Sequence, residues 1–417
     1  MNYDIFFSIS QTPVDGVTPS EREMFANFFE QVQAADELGY GTAWVAESHL
    51  SSEVQKRNRN PVIPHWQGEV GLNCDILQLS HQVFRRTRRI ETGSAVMNIL
   101  CGGGPVAHAE RVAAFCALHG VDPAERRRIN IGFAAGRFEF MNRAMGIVPR
   151  DAVEEAAWPV LKGKVFEEAA EVFCRLLRGD VLSSDDVAPP SLTAGEFKTP
   201  ADWEKVCKAA GHDPGGPLTL RRRWEFEALK VVPQDWRREL LQLVIGSHHG
   251  PLQERVNGFQ PVQVFNLSIT QPAVIEDTHR RMTAAYHPSG GPWRRSYMPR
   301  TVFVFLNEQP GLSPDERRAR ARAEADKALA AYWTALEGTL DPKKVTNAAN
   351  NALIGNADDV ADQMVERFHP DDRLMLWFDF FNHDSARVVA NMEAFMREVA
   401  PRVQERLAAR APAGGGA

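Results

Sequence analysis

Short apolar runs alternate with longer amphipathic stretches through most of the chain. This is the pattern of β-α units repeated around a parallel sheet. The first run predicts a strand near Asp4 to Ile9. A helix is expected from about Ser20 to Leu38, where Phe25, Phe28, Phe29, Val32 and Ala35 fall on one face and Gly39 ends the pattern. Further strands are expected at Thr42 to Ala46, Ile90 to Met97, Arg128 to Phe133, Leu241 to Ile245, Pro261 to Leu267, Thr301 to Leu306 and Arg373 to Phe378. Eight strands with helices between them favour a closed (β/α)8 TIM barrel, an α/β fold, over an open doubly wound sheet.

Three polar stretches rich in Pro, Gly or basic residues exceed a minimal barrel, near 51–71, 183–223 and 286–299. Loops that follow barrel strands build the active face, so these insertions are expected at the C-terminal mouth, shaping or covering a pocket. For the second, a flexible excursion is an equal alternative. The helix from Ser313 to about Leu336 is rich in alanine and mixed charge, and reads as a solvated outer helix. Residues 1–410 are expected to form one domain, followed by a disordered tail at 411–417.

Composition narrows the function. The 417 residues are 44% hydrophobic and 24% charged, which excludes a disordered or collagen-like chain. A net charge of -6, from 54 acidic and 48 basic residues, gives too weak a field to hold a nucleic-acid backbone. The odd number of cysteines, Cys74, Cys101, Cys116, Cys174 and Cys207, has no C-x-x-C pair and suits reduced thiols rather than a disulfide framework or a zinc knuckle. The N-terminus reads directly as a strand, and no stretch approaches the ~20 apolar residues that span a bilayer. A cytoplasmic protein without membrane contact is the expectation.

There is no Walker loop, no G-x-G-x-x-G after a strand, no H-E-x-x-H and no G-x-S-x-G elbow, and no Asp/Glu/His spacing suggests a metal site. What remains are polar groups at the C-terminal ends of expected barrel strands, where this fold does its chemistry. Glu47, Ser48 and His49 follow the second strand. Ala134, Ala135, Gly136 and Arg137 follow the fourth, a small-residue turn that lets backbone approach a flat or phosphorylated ligand. Gly246, Ser247, His248, His249 and Gly250 follow the fifth, offering a hydroxyl, two imidazoles and backbone N–H groups as a phosphate cradle. Each cluster alone also reads as plain structure, a packed histidine or a tight connection. Their joint occurrence on one face of one barrel is the stronger argument.

The segment Ala35-Asp36-Glu37-Leu38-Gly39-Tyr40-Gly41-Thr42-Ala43-Trp44-Val45-Ala46-Glu47-Ser48-His49 is similar to a helix, glycine turn and Trp-x-x-Glu-His-His strand end. Arg89 to Val96, Ala109-Glu110-Arg111, Ile131 to Gly136, Trp224 to Glu227, Gly355 to Val360 and Asn391 to Met396 continue the match in order along almost the whole chain. On these residues the chain resembles the bacterial luciferase-like, flavin-dependent monooxygenase family.

The resemblance implies a barrel mouth that binds reduced flavin, usually FMN from a separate flavin reductase, or a deazaflavin in sister branches. In the oxygen-using branch, reduced FMN and O2 oxidise a sizeable organic substrate through peroxyflavin chemistry, with the protein positioning the cofactor and excluding water. It places Ala95 and Val96, often joined by a cis peptide, against the isoalloxazine. Ala134 to Gly136 would line the ring or ribityl chain, and Gly246, Ser247 and neighbouring backbone would hold the phosphate, assisted by His248 and His249. A homodimer or larger oligomer is the family habit.

Two departures matter. Ser48 stands where the family usually has its catalytic histidine and cannot titrate near neutrality, so proton handling shifts to His49, another group or solvent. Ala135 stands where some members carry a phosphate-binding arginine, for which Arg137 is a substitute or a neutral bystander. The alternatives to a monooxygenase are a deazaflavin-dependent hydride-transfer enzyme and a non-catalytic flavin-binding partner subunit.

Overall fold

The computed structural model describes residues 1–50, 68–136, 139–336 and 342–410. All eight expected strands form: β1 (Asn2–Phe7), β2 (Thr42–Val45), β3 (Glu91–Asn98), β4 (Ile129–Ala134), β7 (Leu241–Ile245), β8 (Val262–Val264), β9 (Arg300–Leu306) and β11 (Arg373–Trp377). Two short strands, β5 (Ser191–Leu192) and β6 (Leu218–Thr219), make an antiparallel pair inside the second insertion. The ninth strand of the main sheet, β10 (Leu353–Gly355), was not anticipated.

The main sheet is parallel, in the order β10-β9-β11-β1-β2-β3-β4-β7-β8. It curls until its ends meet at a bridge between Asn266 and Arg300. Two backbone hydrogen bonds make that seam, Asn266 N–H to Pro299 O at 2.9 Å and Thr301 N–H to Asn266 O at 3.1 Å. β10 pairs with Val304 to Leu306 on the same edge of β9, above the seam.

Local chemistry explains the repeated unit. The helix Glu21–Leu38 starts at Ser20, whose hydroxyl accepts from Glu23 N–H, and stops at Gly39 in the left-handed region that glycine adopts without strain. It buries Phe28, Val32 and Ala35, while Phe25 and Phe29 pack half-buried beside them. The helix Pro314–Leu336 keeps its charged face outward but seats Ala321, Ala325 and Ala328 against Phe303 and Phe305 of β9. The helix Ala357–Arg367 begins with a capping box at Asn356 and Asp359.

Low in the barrel, Trp44 is fully buried and its indole N–H donates to Asp4 at 2.7 Å. Arg373 pairs with the same carboxylate at 2.6 Å and donates to the Thr42 hydroxyl. Gly93 lies opposite Trp44 in the β2–β3 register, where any Cβ would come within 2.5 Å of the indole. This plug closes the N-terminal end and leaves the C-terminal end for a site.

The insertions divide between the two ends. Of 51–71, residues 51–67 lie outside the described residues, and Val70 and Gly71 reach the C-terminal mouth. The segment 183–223 packs on the long helix Ala152–Arg178, where the Glu168 carboxylate accepts from Arg223 and Trp224 N–H. Just beyond the segment, Trp224 reaches Gly104, after the β3 end, but no residue of 183–223 is among the described lining of the mouth. The segment 286–299 lies away from the mouth. It runs from a helix into β9, and Arg295 pairs with Asp372 immediately before β11, which puts it at the strand starts. Helix-to-strand loops in a (β/α) barrel belong to that opposite face. The tail at 411–417 lies outside the described residues.

Candidate active site

A cavity opens at the C-terminal ends of the strands. Phe6, Ser8 and Ser10 reach it from β1 and its loop, Ala46, Glu47 and Ser48 from the end of β2, and Ala95, Val96 and Asn98 from β3. Thr301, Trp377, Phe380 and Phe381 line it from β9, β11 and the β11 loop, and Tyr332 from the helix Pro314–Leu336.

Glu47 is the acidic group in the described lining. Its Oε1 lies 2.9 Å from His49 Nε2 and accepts from Asn98 N–H at 3.3 Å, while its Oε2 is buried without a partner. Burial pushes its pKa above the ordinary value, against the hydrogen bond and charge of His49. Ser48 faces the cavity, and its N–H donates to Asn73 O at 2.9 Å. Asn73 in turn donates to Ala46 O, which fixes this strand end. His49 is held through Glu47 and lies behind the lining.

The Ala95–Val96 peptide is cis, as the resemblance implied. It sits where the β3–β4 register shifts, between Ser94 and Met97. Gly136 lines the cavity, and a Cβ there would come within 2.1 Å of Asn98 Nδ2. Asn98, which the sequence reading missed, links the clusters: its carboxamide N–H2 donates to Asn142 Oδ1 at 2.8 Å, and Asn142 donates to Ala135 O at 2.8 Å. As the last residue of β3, it stood one position beyond the expected strand end. Ala134 accepts from Ile99 N–H and lies beneath this turn. Arg137 lies outside the described residues.

The third cluster is only partly joined to the other two. Gly246 packs against Ala134 and Val96, so that a Cβ would sit 3.2 Å from the first and 3.4 Å from the second. Ser247, His248 and His249 lie beyond it, outside the described lining. His248 Nε2 is 3.3 Å from Thr270 Oγ1. His249 precedes the helix Gly250–Asn257, with its ring 3.4 Å from Glu167.

A second acid also escaped the sequence reading. Asp379 follows β11 between the cavity-lining Trp377 and Phe380. Burial pushes its pKa up to about 7, and its Oδ1 has no hydrogen-bond partner among the described residues. Cys101, which accepts from Asn98, is a protonated thiol pushed up to about 11 by burial and, secondarily, by Glu47. All five cysteines are unpaired.

A family model described as luciferase-like monooxygenase matches residues 1–214. Solved structures share the fold along nearly the whole chain. The monooxygenase RslO1 from Streptomyces bottropensis aligns at a TM-score of 0.63 and 16% identity, covering 96% of this chain and 99% of its own. The oxygenating constituent of 3,6-diketocamphane monooxygenase from Pseudomonas putida, solved with FMN, aligns at 0.58 and 14%, covering 97% and 98%. An F420-dependent secondary alcohol dehydrogenase, solved with an F420-acetone adduct, aligns at 0.53 and 12%, covering 96% and 98%. No curated protein matches in sequence. No helix among the described residues is long and apolar enough to cross a membrane.

Proposed function

The chain belongs to the luciferase-like monooxygenase family, and from that premise we propose that it is a flavin-dependent monooxygenase using reduced FMN and O2 to oxidise a sizeable organic substrate. The observation that carries this reading is the wall of small residues, Ala46, Ala95, Val96 and Gly136, along one side of the cavity. A flat ring fits such a wall. The missing Cβ atoms at Gly136 and Gly246 let the loops close behind it, and the unpartnered Glu47 Oε2 supplies a polar contact.

Bound reduced flavin supplies the electron pair for oxygen activation. The protein's share is binding, orientation, exclusion of water and proton handling. In this reading Ala95 and Val96 support the ring face, and the Ala134–Ala135–Gly136 turn lines its edge or the chain attached to it. Gly246 and Ser247, with His248 and His249 at the start of the helix Gly250–Asn257, receive the phosphate. Arg281 packs over Gly250 but is paired with Asp277 and Glu254, so the turn relies on the backbone N–H groups at the helix start for its positive end. Arg137 remains a candidate for the same task. Glu47 Oε1 and His49 Nε2 are hydrogen-bonded over 2.9 Å beside the cavity, while Ser48 contributes a hydroxyl that does not titrate near neutrality. Supply of reduced FMN by a separate reductase and assembly as a homodimer or larger oligomer belong to the same proposal.

Stopped-flow mixing of the protein with reduced FMN and O2 tests it. FMN binding and altered reoxidation kinetics are expected, and their joint absence would refute the reading. Similarity to an F420-dependent dehydrogenase supports a second one, hydride transfer with a deazaflavin. Side-by-side titration decides between them, since tighter binding of the deazaflavin would replace the first reading. Ser48 in place of a histidine supports a third, a non-catalytic flavin-binding subunit, which product formation by the wild-type protein would eliminate.

A further inference from the structure

The cavity has two unlike walls. Besides the small-residue wall there is an aromatic one built from β1, β11, the β11 loop and the helix Pro314–Leu336. The rings of Phe6 and Trp377 lie 4.5 Å apart, Trp377 and Phe380 4.8 Å, Tyr332 and Phe380 5.1 Å, and Phe380 and Phe381 4.9 Å. Their planes are inclined by 52° to 80°, so the wall presents edges as well as faces. Such a surface pairs with a flat ring by edge-to-face and offset contacts, which contribute beyond simple burial of area.

Charge and hydrogen bonding restrict the guest further. No Lys or Arg is among the described lining residues, so the described part of the lining offers a sulfonate or carboxylate no counter-ion. Ser10 and Thr301 both belong to the lining, and their hydroxyl oxygens are buried without a hydrogen-bond partner among the described residues. A saturated hydrocarbon chain would leave these hydroxyls unsatisfied, whereas a phenolic hydroxyl can hydrogen-bond with either.

We infer that this cavity selects a neutral, hydroxylated planar aromatic substrate, held against the Tyr332–Trp377–Phe380–Phe381 wall with its hydroxyl toward Ser10 or Thr301. The inference rests on the flavin reading only in assigning the small-residue wall to the cofactor.

Naphthol, decanal and decanesulfonate titrated into the full chain test it, with tryptophan emission and calorimetry as readouts. Naphthol is expected to bind at least tenfold more tightly than either aliphatic probe. Tyr332→Leu, which keeps apolar bulk but removes the ring, should weaken naphthol about tenfold, and Tyr332→Phe should restore it. Phe381→Leu serves the same purpose should Tyr332→Leu fold poorly. Equal or tighter binding of decanal or decanesulfonate, or wild-type naphthol affinity in both leucine variants, would overturn the inference. FMN is titrated separately by its own fluorescence. If FMN fails to bind while naphthol discrimination persists, the cofactor reading falls and the aromatic site stands. If FMN binds without naphthol preference, the inference falls alone.

Discussion

Asp379→Asn removes an ionisable carboxyl from the mouth of the barrel while keeping the shape of the side chain. In the folded protein, burial raises the carboxyl from an ordinary 3.8 to about 7, and the backbone N–H groups of Asp379 and Ser8 offset only part of that effect. The sign follows from proton binding. Between the two values the folded state holds the proton more tightly than the unfolded chain, so this group's stabilising contribution is complete below about pH 3.8 and is lost as pH rises through about 7. Moving from pH 5 to pH 8 crosses about two units of that window, and at 1.36 kcal/mol per unit the wild type loses about 3 kcal/mol that the asparagine variant keeps. For a 417-residue chain the unfolding entropy is about 0.9 kcal/mol/K, from ~2.1 cal/mol/K per residue, so this corresponds to about 3 °C in Tm. Parallel thermal scans at the two pH values provide the assay, with the variant-minus-wild-type difference in Tm as readout. A difference that grows by about 3 °C from pH 5 to pH 8 is expected. A pH-independent difference, or one that shrinks, would refute the assignment of a buried, neutral carboxyl here.

His49→Ala should lower substrate oxidation coupled to reduced-FMN consumption by ~100-fold or more, in the range for loss of a positioned proton-transfer group, while FMN affinity by fluorescence titration changes little. Gly93→Ala forces a methyl to within 2.5 Å of the Trp44 indole and should cost about 1–3 kcal/mol, read as a Tm lower by a few degrees. Asp4→Ala leaves the Arg373 guanidinium buried and unpaired, and a loss of about 3–5 kcal/mol in urea denaturation is expected. Gly136→Ala drives a methyl into Asn98, in a left-handed backbone position, and should weaken FMN binding about tenfold or more by displacing the linkage from Asn98 to Ala135.

The eight expected strands were legible because parallel barrel strands are buried on both faces and read as apolar runs bounded by turn residues. β10 escaped because Leu353, Ile354 and Gly355 are too short a run to stand out before the capped helix that follows. The misplacement of 286–299 has a different cause: composition marks a surplus segment but does not say which end of the barrel it occupies. Glu47, Ser48 and Gly136 were legible as cavity-lining positions because strand ends followed by polar or small residues are local features. The aromatic wall was not, since its members come from distant parts of the chain. Tyr332 was hidden further by the helix that carries it, whose buried face is made of alanines and gives little contrast with its charged face. Asp379 lay one residue past an expected strand end, and only burial in three dimensions distinguishes it from an exposed loop acid.

Along the barrel wall, neighbouring strands are joined by ladders, but β8 and β9 are joined by the two hydrogen bonds at Asn266 and Thr301. The circumference is therefore stitched loosely at one place, and Leu267, Ser268 and Ile269, immediately after that stitch, form part of the cavity's lining. Low local hydrogen bonding favours opening ahead of global unfolding. The amides of Asn266 and Thr301 should accordingly exchange with deuterium sooner than those of β1 to β4, which would make this seam the first place along the ring to loosen.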